Sequence, residues 1–171
     1  GGGHGNGGGA LSGGGGAAHA RVVGVMVNED WKDRQPTYYA QLDDWRPVKA
    51  IFHELHTRFK ATEPHIQHGK VFHPLYFTSV RPEARRHHVL TTLWEMSADC
   101  ARDLNYQVMV CEAGSPAAHR TLQELGFKEV CAVHYGDFLF EGRTPFKPIA
   151  DEDADARLSM YTRPITSNLF I

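Results

Sequence analysis

The sequence contains little that would support a cross-linked, membrane-spanning or nucleic-acid-binding protein. Its three cysteines are odd in number and lack CxxC spacing, which argues against structural disulfides and for a reducing, cytoplasmic setting. No apolar run approaches the roughly 20 residues that a membrane span needs, and the start lacks the pattern of a signal peptide. The net charge of -2 offers no broad basic field. We therefore expect neither a membrane nor a nucleic acid among its partners.

The chain does have enough apolar sequence for one folded domain. Apolar residues make up 42% of its 171 residues, a share that supports a single core. Residues 1–20 are nearly all Gly, Ala, His and Ser, and they predict a flexible linker because glycine costs the most backbone entropy to order. The packed domain is predicted to span 21–165, followed by a short tail at 166–171.

Hydrophobic patterning predicts an α/β sandwich with a mixed sheet. The predicted strands are apolar runs at 21–28, 71–80 and 106–112, and within 127–140 and 157–164. Apolar residues at helical spacing predict helices at 47–60 and 89–103. Ser115 and Pro116 predict the start of a third helix, which should stop at Gly126. This alternation of strands and helices is typical of helices packed on a sheet.

Basic side chains gather where the second long helix is predicted to begin. Arg85, Arg86, His87 and His88 directly precede it. The first backbone N–H groups of a helix have no partner within the helix and lie at its positive end, so they attract anions. Guanidinium groups add affinity for phosphate. The sequence therefore predicts an anion site at this strand–loop–helix junction.

This junction and the segments that follow it resemble the GNAT superfamily of N-acetyltransferases. In that family the strand–loop–helix unit carries V-x-P-x-x-R-x-x-G-x-G/A, and Val80, Pro82 and Arg85 match the pattern. The helix-capping Ser115 and the ending Leu125-Gly126-Phe127 are also similar to the family. The segments RVVGVMVN, VHYGDFLFEGRTPFKP and YTRPI resemble its insect arylalkylamine and dopamine N-acetyltransferase branch. The order and spacing of these short motifs agree with the family over about 21–165.

The resemblance implies a GNAT-like fold and acetyl transfer from acetyl-CoA to a small aryl- or alkylamine, without a metal. It implies that loop amides hold the pyrophosphate of acetyl-CoA, that strand amides polarise the thioester carbonyl, and that the hydroxyl of Ser115 either protonates the leaving thiolate or holds a water. The residues implied to bind acetyl-CoA are Phe77, Ser79, Val80, Arg85, Arg86, His87, His88, Val89 and Leu90.

Three departures from the family bear on this expectation. His88 and Leu90 stand where the family has glycine and glycine or alanine, and their side chains are expected to crowd the approach of phosphate to the backbone. Ala118 stands where the arylalkylamine branch has a second serine. The first strand, first two helices and second strand of the family, which supply its amine pocket and acidic base, have no counterpart, so an N-terminally truncated fold is expected.

These departures favour a rival hypothesis from a different class. The chain would then be an inactive, pseudoenzyme-like GNAT-fold subunit with a structural role in a larger assembly, for example a cytoskeletal complex. A sheet that begins at Arg21 would leave an open edge with Val23, Val25 and Val27 uncovered. Such an edge invites a partner strand or another chain. The sequence therefore predicts a protein partner at this edge, beside the small amine.

Candidates for the general base, the group that would remove a proton from the amine, are the acidic residues at the ends of strands. Glu29 and Asp30 follow the first predicted strand, and Glu112 ends the third. General-base catalysis needs such a group within hydrogen-bond reach of the amine, but spacing does not choose among the three.

Two histidines of the first predicted helix suggest the alternative of a metal site. His53 and His56 are three positions apart, whereas the zinc motif HExxH places its histidines four apart. The chain has 11 histidines, and scattered histidines produce such pairs by chance. No metal is therefore expected.

Overall fold

The computed structural model describes residues 21–31 and 43–165, so the predicted linker at 1–20 and tail at 166–171 lie outside the described residues. The strands are β1 (Gly24–Asp30), β2 (Val71–Val80), β3 (Val108–Ala113), β4 (Lys128–His134) and β5 (Arg157–Pro164). The helices are α1 (Arg46–Thr62), α2 (Val89–Asp103), α3 (Pro116–Glu124) and α4 (Lys147–Glu152). Short 3₁₀ helices occupy Asp43–Trp45, Pro64–His68 and Pro82–Ala84.

The predicted α/β sandwich is confirmed, and most element boundaries lie close to the prediction. The second strand and the second long helix have the predicted bounds, whereas β1 begins at Gly24 and continues past Asn28 to Asp30. Helix α4 was not predicted. A six-residue helix is too short to show the 3.6-residue periodicity that identifies longer ones.

The described sheet has five strands in the order β1-β2-β3-β5-β4. Strands β2 and β3 run parallel, and each of the other neighbouring pairs is antiparallel. The parallel pair is possible because α2 crosses over between its two strands. The sheet is therefore mixed, as the sequence predicted.

The parallel strands β2 and β3 separate soon after they begin. Within the described residues their register consists of Val71 with Val108 and Phe72 with Met109, although β2 continues to Val80. Pro74 follows shortly after the last pair and lacks the N–H that a ladder requires. A gap therefore opens between the carboxyl-terminal halves of β2 and β3, the region where α/β sheets commonly bind ligands.

Two hydrophobic cores lie on opposite faces of the sheet. Alternate residues of a strand point to opposite faces, so Val71 belongs to one core and Phe72 to the other. The first core packs helix α1 through Ile51, Leu55 and Phe59. The second core packs α2 and α3 through Trp94, Ala98, Ala101 and Leu122. The sheet therefore separates an α1 side from an α2–α3 side.

Strand β1 forms one edge of the described sheet. A Cβ on Gly24 would lie 2.8 Å from Cγ1 of Val89, so helix α2 packs closely against the backbone at this glycine. The side chains of Val23, Val25 and Val27 are exposed, as the sequence predicted. None of the helices in the described ranges is long and apolar enough to cross a membrane.

Candidate functional site

A cleft of about 500 Å³ lies where β2 ends and α2 begins. The predicted acetyl-CoA residues that line it are Ser79, Val80, Arg85, Arg86, His88, Val89 and Leu90. His87 is exposed nearby but is not among the described lining residues, and the side chain of Phe77 lies outside the described part of the structure. The fold therefore brings most of the predicted set together around one opening.

The loop into α2 has the backbone shape that a glycine would favour. Arg86 and His88 have φ angles of 72° and 56°, in the left-handed region that glycine enters without strain and other residues enter at a cost of about 1 kcal/mol. His88 occupies one of the positions where the GNAT family has glycine. The substitution therefore changes the side chain at this position while the left-handed conformation remains.

The first backbone N–H groups of α2 are available to donate hydrogen bonds to a ligand. No side chain among the described residues caps this helix, because His88 at the capping position makes no such hydrogen bond. The first N–H groups of a helix also lack intrahelical acceptors. The exposed side chains of Arg85 and Arg86 lie on the same cleft. This arrangement of amides, helix dipole and guanidinium groups suits a phosphate group.

Leu90 and His88 leave the cleft open, although their side chains were expected to crowd it. Leu90 is half-buried and packs partly against the core on the α2–α3 side. Both residues form part of the wall of the cleft. A volume of about 500 Å³ lies within the range of small-molecule pockets, so the residues present fit the phosphate end of acetyl-CoA.

Ser115 caps helix α3, as predicted. The backbone N–H of Ala118 donates a hydrogen bond of 3.2 Å to Oγ of Ser115. The hydroxyl is exposed at the end of β3 and can still donate its own proton. Ser115 is not among the described residues that line the cleft, so its catalytic role stays a prediction.

A buried network of carboxylates and imidazoles lies on the α1 side of the sheet. Nε2 of His73 on β2 and Nε2 of His56 on α1 each lie 2.7 Å from an oxygen of Glu112 on β3. Nδ1 of His73 lies 2.9 Å from Oε1 of Glu29 on β1. The hydrogen bonds therefore connect titratable side chains from β1, β2, β3 and α1. We call these four residues the Glu112 network.

The ionisation of this network follows from its geometry. Burial alone would raise the pKa of Glu112, but the charge of His73 and the hydrogen bonds from both histidines hold that pKa well below its usual range. Burial alone would lower the pKa of His73, but Glu112 and Glu29 raise it to about 9. At neutral pH the core therefore contains an imidazolium between carboxylates, an arrangement that satisfies buried charges.

Aromatic rings enclose the imidazoles of this network. Trp31 makes edge contacts with His56 and His73, at ring-centroid distances of 4.6 and 5.0 Å. Phe52 makes a similar contact with His56 at 6.1 Å. These rings reduce the access of water and strengthen the electrostatic interactions among the charged groups.

A second polar network connects α3 to strands β4 and β5. Arg157 donates two hydrogen bonds of 3.0 Å to the carboxylate of Glu129; this pairing lowers the pKa of Glu129. The hydroxyl of Tyr161 donates to the same carboxylate, and Nδ1 of His119 on α3 lies 3.0 Å from that hydroxyl. Burial, followed by Glu129, raises the pKa of Tyr161 to about 12. The tyrosine is therefore neutral, and its contacts position α3.

The two α1 histidines of the alternative metal site point in different directions. His53 is exposed on α1, whereas His56 turns towards Glu112. Within residues 21–31 and 43–165, no three His, Cys, Asp or Glu side chains are grouped so that they could hold a metal ion.

Comparison with known proteins identifies the fold. Models of protein families and curated protein sequences give no match. A solved agmatine N-acetyltransferase, a mutant in its apo form, matches with a TM-score of 0.67 and 19% identity, over 84% of this chain and 71% of that one. A Drosophila melanogaster polyamine N-acetyltransferase that forms N-acetylagmatine matches at 0.65 and 18%, over 85% and 71%. Arylalkylamine N-acetyltransferase 2 from Aedes aegypti matches at 0.66 and 19%, over 84% and 68%.

The fold is therefore that of the GNAT N-acetyltransferases, as the sequence motifs implied. Within that fold, the matching solved structures include amine N-acetyltransferases of insects, the branch that the sequence resembles.

Proposed function

We propose that this chain transfers an acetyl group from acetyl-CoA to the nitrogen of a small amine. The amine is an aryl- or alkylamine or a polyamine-like compound, because the matching structures are named for agmatine, polyamine and arylalkylamine acetylation. The observation that carries the proposal is the open cleft at the start of α2, where uncapped helix amides lie beside Arg85 and Arg86.

The proposal assigns distinct roles to the two ends of the site. The amides from Arg86 to Leu90, with the guanidinium of Arg85, hold the pyrophosphate of acetyl-CoA. The β2 amides between Phe77 and Val80 donate to the thioester carbonyl and stabilise the charge that develops on its oxygen. Ser115 donates a proton to the departing thiolate. The acetyl-CoA itself supplies the activated acyl group.

The direct test is an assay of amine-dependent release of free CoA. The panel is agmatine, spermidine, tyramine and dopamine, with wild type compared with Arg85→Ala. We expect turnover with at least one amine, reduced at least tenfold by Arg85→Ala at subsaturating acetyl-CoA. The matched control is Arg120→Ala, which removes an exposed arginine from α3 and should leave the rate within twofold. No release of CoA with any amine would contradict the proposal.

Strand β1 supports a second proposal, which is compatible with the first. Its exposed Val25 and Val27 form an apolar edge that favours a protein partner, as the non-catalytic subunit hypothesis also requires.

We propose that residues 21–165 form the acetyltransferase domain. The free thiols of Cys100, Cys111 and Cys131 support a cytoplasmic, reducing setting.

A further inference from the structure

Acetyl transfer to an amine requires a group that removes a proton from the nitrogen, and the sequence does not choose one. Among the described residues, the Glu112 network places several acid–base groups beside the gap between β2 and β3. Its members differ in access to solvent, since the side chain of Glu112 is 2% exposed and that of His56 is 20% exposed. His56 is thus the imidazole of the network that a substrate can reach.

We infer that His56 takes the proton from the acceptor amine and that Glu112 positions the His56 ring for this step. The inference rests on the proposed acetyltransferase function and names the base of that same site. It assigns His56 a chemical role that its position in the sequence did not indicate.

The hydrogen bonds of the network exclude Glu112 and His73 as the base. Both oxygens of Glu112 accept hydrogen bonds, one from each histidine. His73 as an imidazolium donates both of its N–H groups, to Glu112 and to Glu29, so it has no lone pair to offer.

His56 is held in the tautomer that a base requires. Its Nε2 donates to Glu112 over 2.7 Å, which leaves the lone pair on Nδ1. No hydrogen-bond partner of that Nδ1 occurs among the described residues. The charged groups that face this ring are Glu112 from β3 and, through it, His73 from β2 and Glu29 from β1. A carboxylate that orients a neutral imidazole is an established arrangement for proton abstraction.

The location of this pair suits a reaction between two substrates that enter from opposite faces. The cleft proposed to hold acetyl-CoA borders α2, whereas His56 lies on α1, on the other side of the sheet. Side chains of β2 and β3 meet at the His73–Glu112 contact of 2.7 Å, close to where the parallel ladder ends. An amine that approaches along Trp31 and Phe52 would reach the gap from the α1 side, and these rings favour cationic or aromatic ligands.

The chemical step balances with the groups present. The amine nitrogen forms a bond to the carbonyl carbon of the thioester, and its proton passes to Nδ1 of His56. The C–S bond then breaks, and the sulfur takes up one proton from the hydroxyl of Ser115, which regains a proton from solvent. The products are the N-acetylated amine and the free thiol of CoA, and His56 returns its proton to solvent.

The experiment compares His56→Gln with His53→Gln in the full chain. Both histidines lie on α1, one turn apart, but His53 is exposed and away from Glu112. With the best amine of the panel, His56→Gln should lower kcat/KM about 100-fold, the usual contribution of a general base, and should remove the rise in rate with pH that deprotonation of the base produces. His53→Gln should stay within twofold of wild type. Added imidazole should partly restore the activity of His56→Ala.

Two further measurements separate the possible failures. Calorimetry should show unchanged acetyl-CoA binding in His56→Gln, and circular dichroism should show an unchanged fold. A fully active His56→Gln would overturn the inference alone. A wild type that acetylates no amine would overturn the proposed function and the inference together.

Discussion

At the scale of single residues, His73 couples the stability of the fold to pH. Its pKa is raised from 6.5 to about 9 in the folded chain, so the folded state holds the proton more tightly than the unfolded one. The resulting stabilisation is fully present below pH 6.5 and is lost as the pH rises through 9. Its upper magnitude is about 3 kcal/mol, from 1.36 kcal/mol per pKa unit.

We therefore predict that the free energy of unfolding of wild type falls between pH 6.5 and 9.5. His73→Gln should be less stable at pH 6.5 and should show a much smaller fall over the same range. Urea denaturation at several pH values measures this, with His53→Gln as the control that retains the wild-type dependence. Parallel pH profiles for wild type and His73→Gln would contradict the assignment.

Ser115 permits a separation of its capping role from its predicted catalytic role. Ser115→Ala should lower stability by about 1 kcal/mol because the amide of Ala118 loses its acceptor. Ser115→Asp should keep the cap, since aspartate is also a good capping residue, but the ionised carboxylate has no proton to give. We predict near-wild-type stability and at least a tenfold lower kcat for Ser115→Asp. Retention of full kcat would show that Ser115 is a cap alone.

Single residues also show which parts of the candidate site the sequence predicted and which it did not. Arg85, Arg86 and His88 were placed in the site from their position before a helix, and the structure brings them around one cleft. The pairing of His56 with Glu112 was missed because 56 positions separate them. The sequence indicated Glu112 as a candidate because it lies at a strand end. Its pairing with His56 depends on how α1 packs across β3, which the sequence does not show.

At the scale of elements, the contact between β1 and α2 sets the position of the cleft. Gly24 lies so close to Val89 and Leu93 that a Cβ would approach their side chains to 2.8 and 3.3 Å. Val89 is the first residue of α2 and lines the cleft. The absence of a side chain at position 24 therefore permits the helix start to sit against the edge strand.

We predict that Gly24→Ala destabilises the protein by about 1–3 kcal/mol, the usual cost of overpacking, and weakens acetyl-CoA binding by moving the start of α2. Gly136→Ala is the matched control, because its Cβ would meet only Ala150 at 3.4 Å, an ordinary contact. Thermal denaturation and calorimetry measure the two effects. Equal behaviour of the two variants would show that the β1–α2 contact is not tight.

The long elements were predictable because their patterns are strong. Helix α2 and strand β2 have the predicted bounds, since α2 carries a sustained helical periodicity and β2 is a long apolar run. The early separation of β2 from β3 was not predicted, because the end of a parallel ladder depends on the neighbouring strand as well as on Pro74. The local sequence therefore predicted where the helices and strands lie, but it did not predict how far neighbouring strands stay paired.

At the scale of the whole molecule, stability depends on two cores that flank one sheet. Leu55 is 0% exposed in the core on the α1 side, whereas Leu139 is 65% exposed. Leu55→Ala should lower the free energy of unfolding by about 2–5 kcal/mol, and Leu139→Ala should change it by less than about 0.5 kcal/mol. Chemical denaturation measures both. A large effect of Leu139→Ala would mean that its side chain is covered in solution.

The central claim is that the cleft at the start of α2 binds acetyl-CoA, and calorimetric titration of the purified chain tests it most directly. We predict micromolar binding for wild type and Arg120→Ala, and at least tenfold weaker binding for Arg85→Ala, because one guanidinium contact to phosphate is lost. Absence of binding by wild type at millimolar acetyl-CoA would contradict the account.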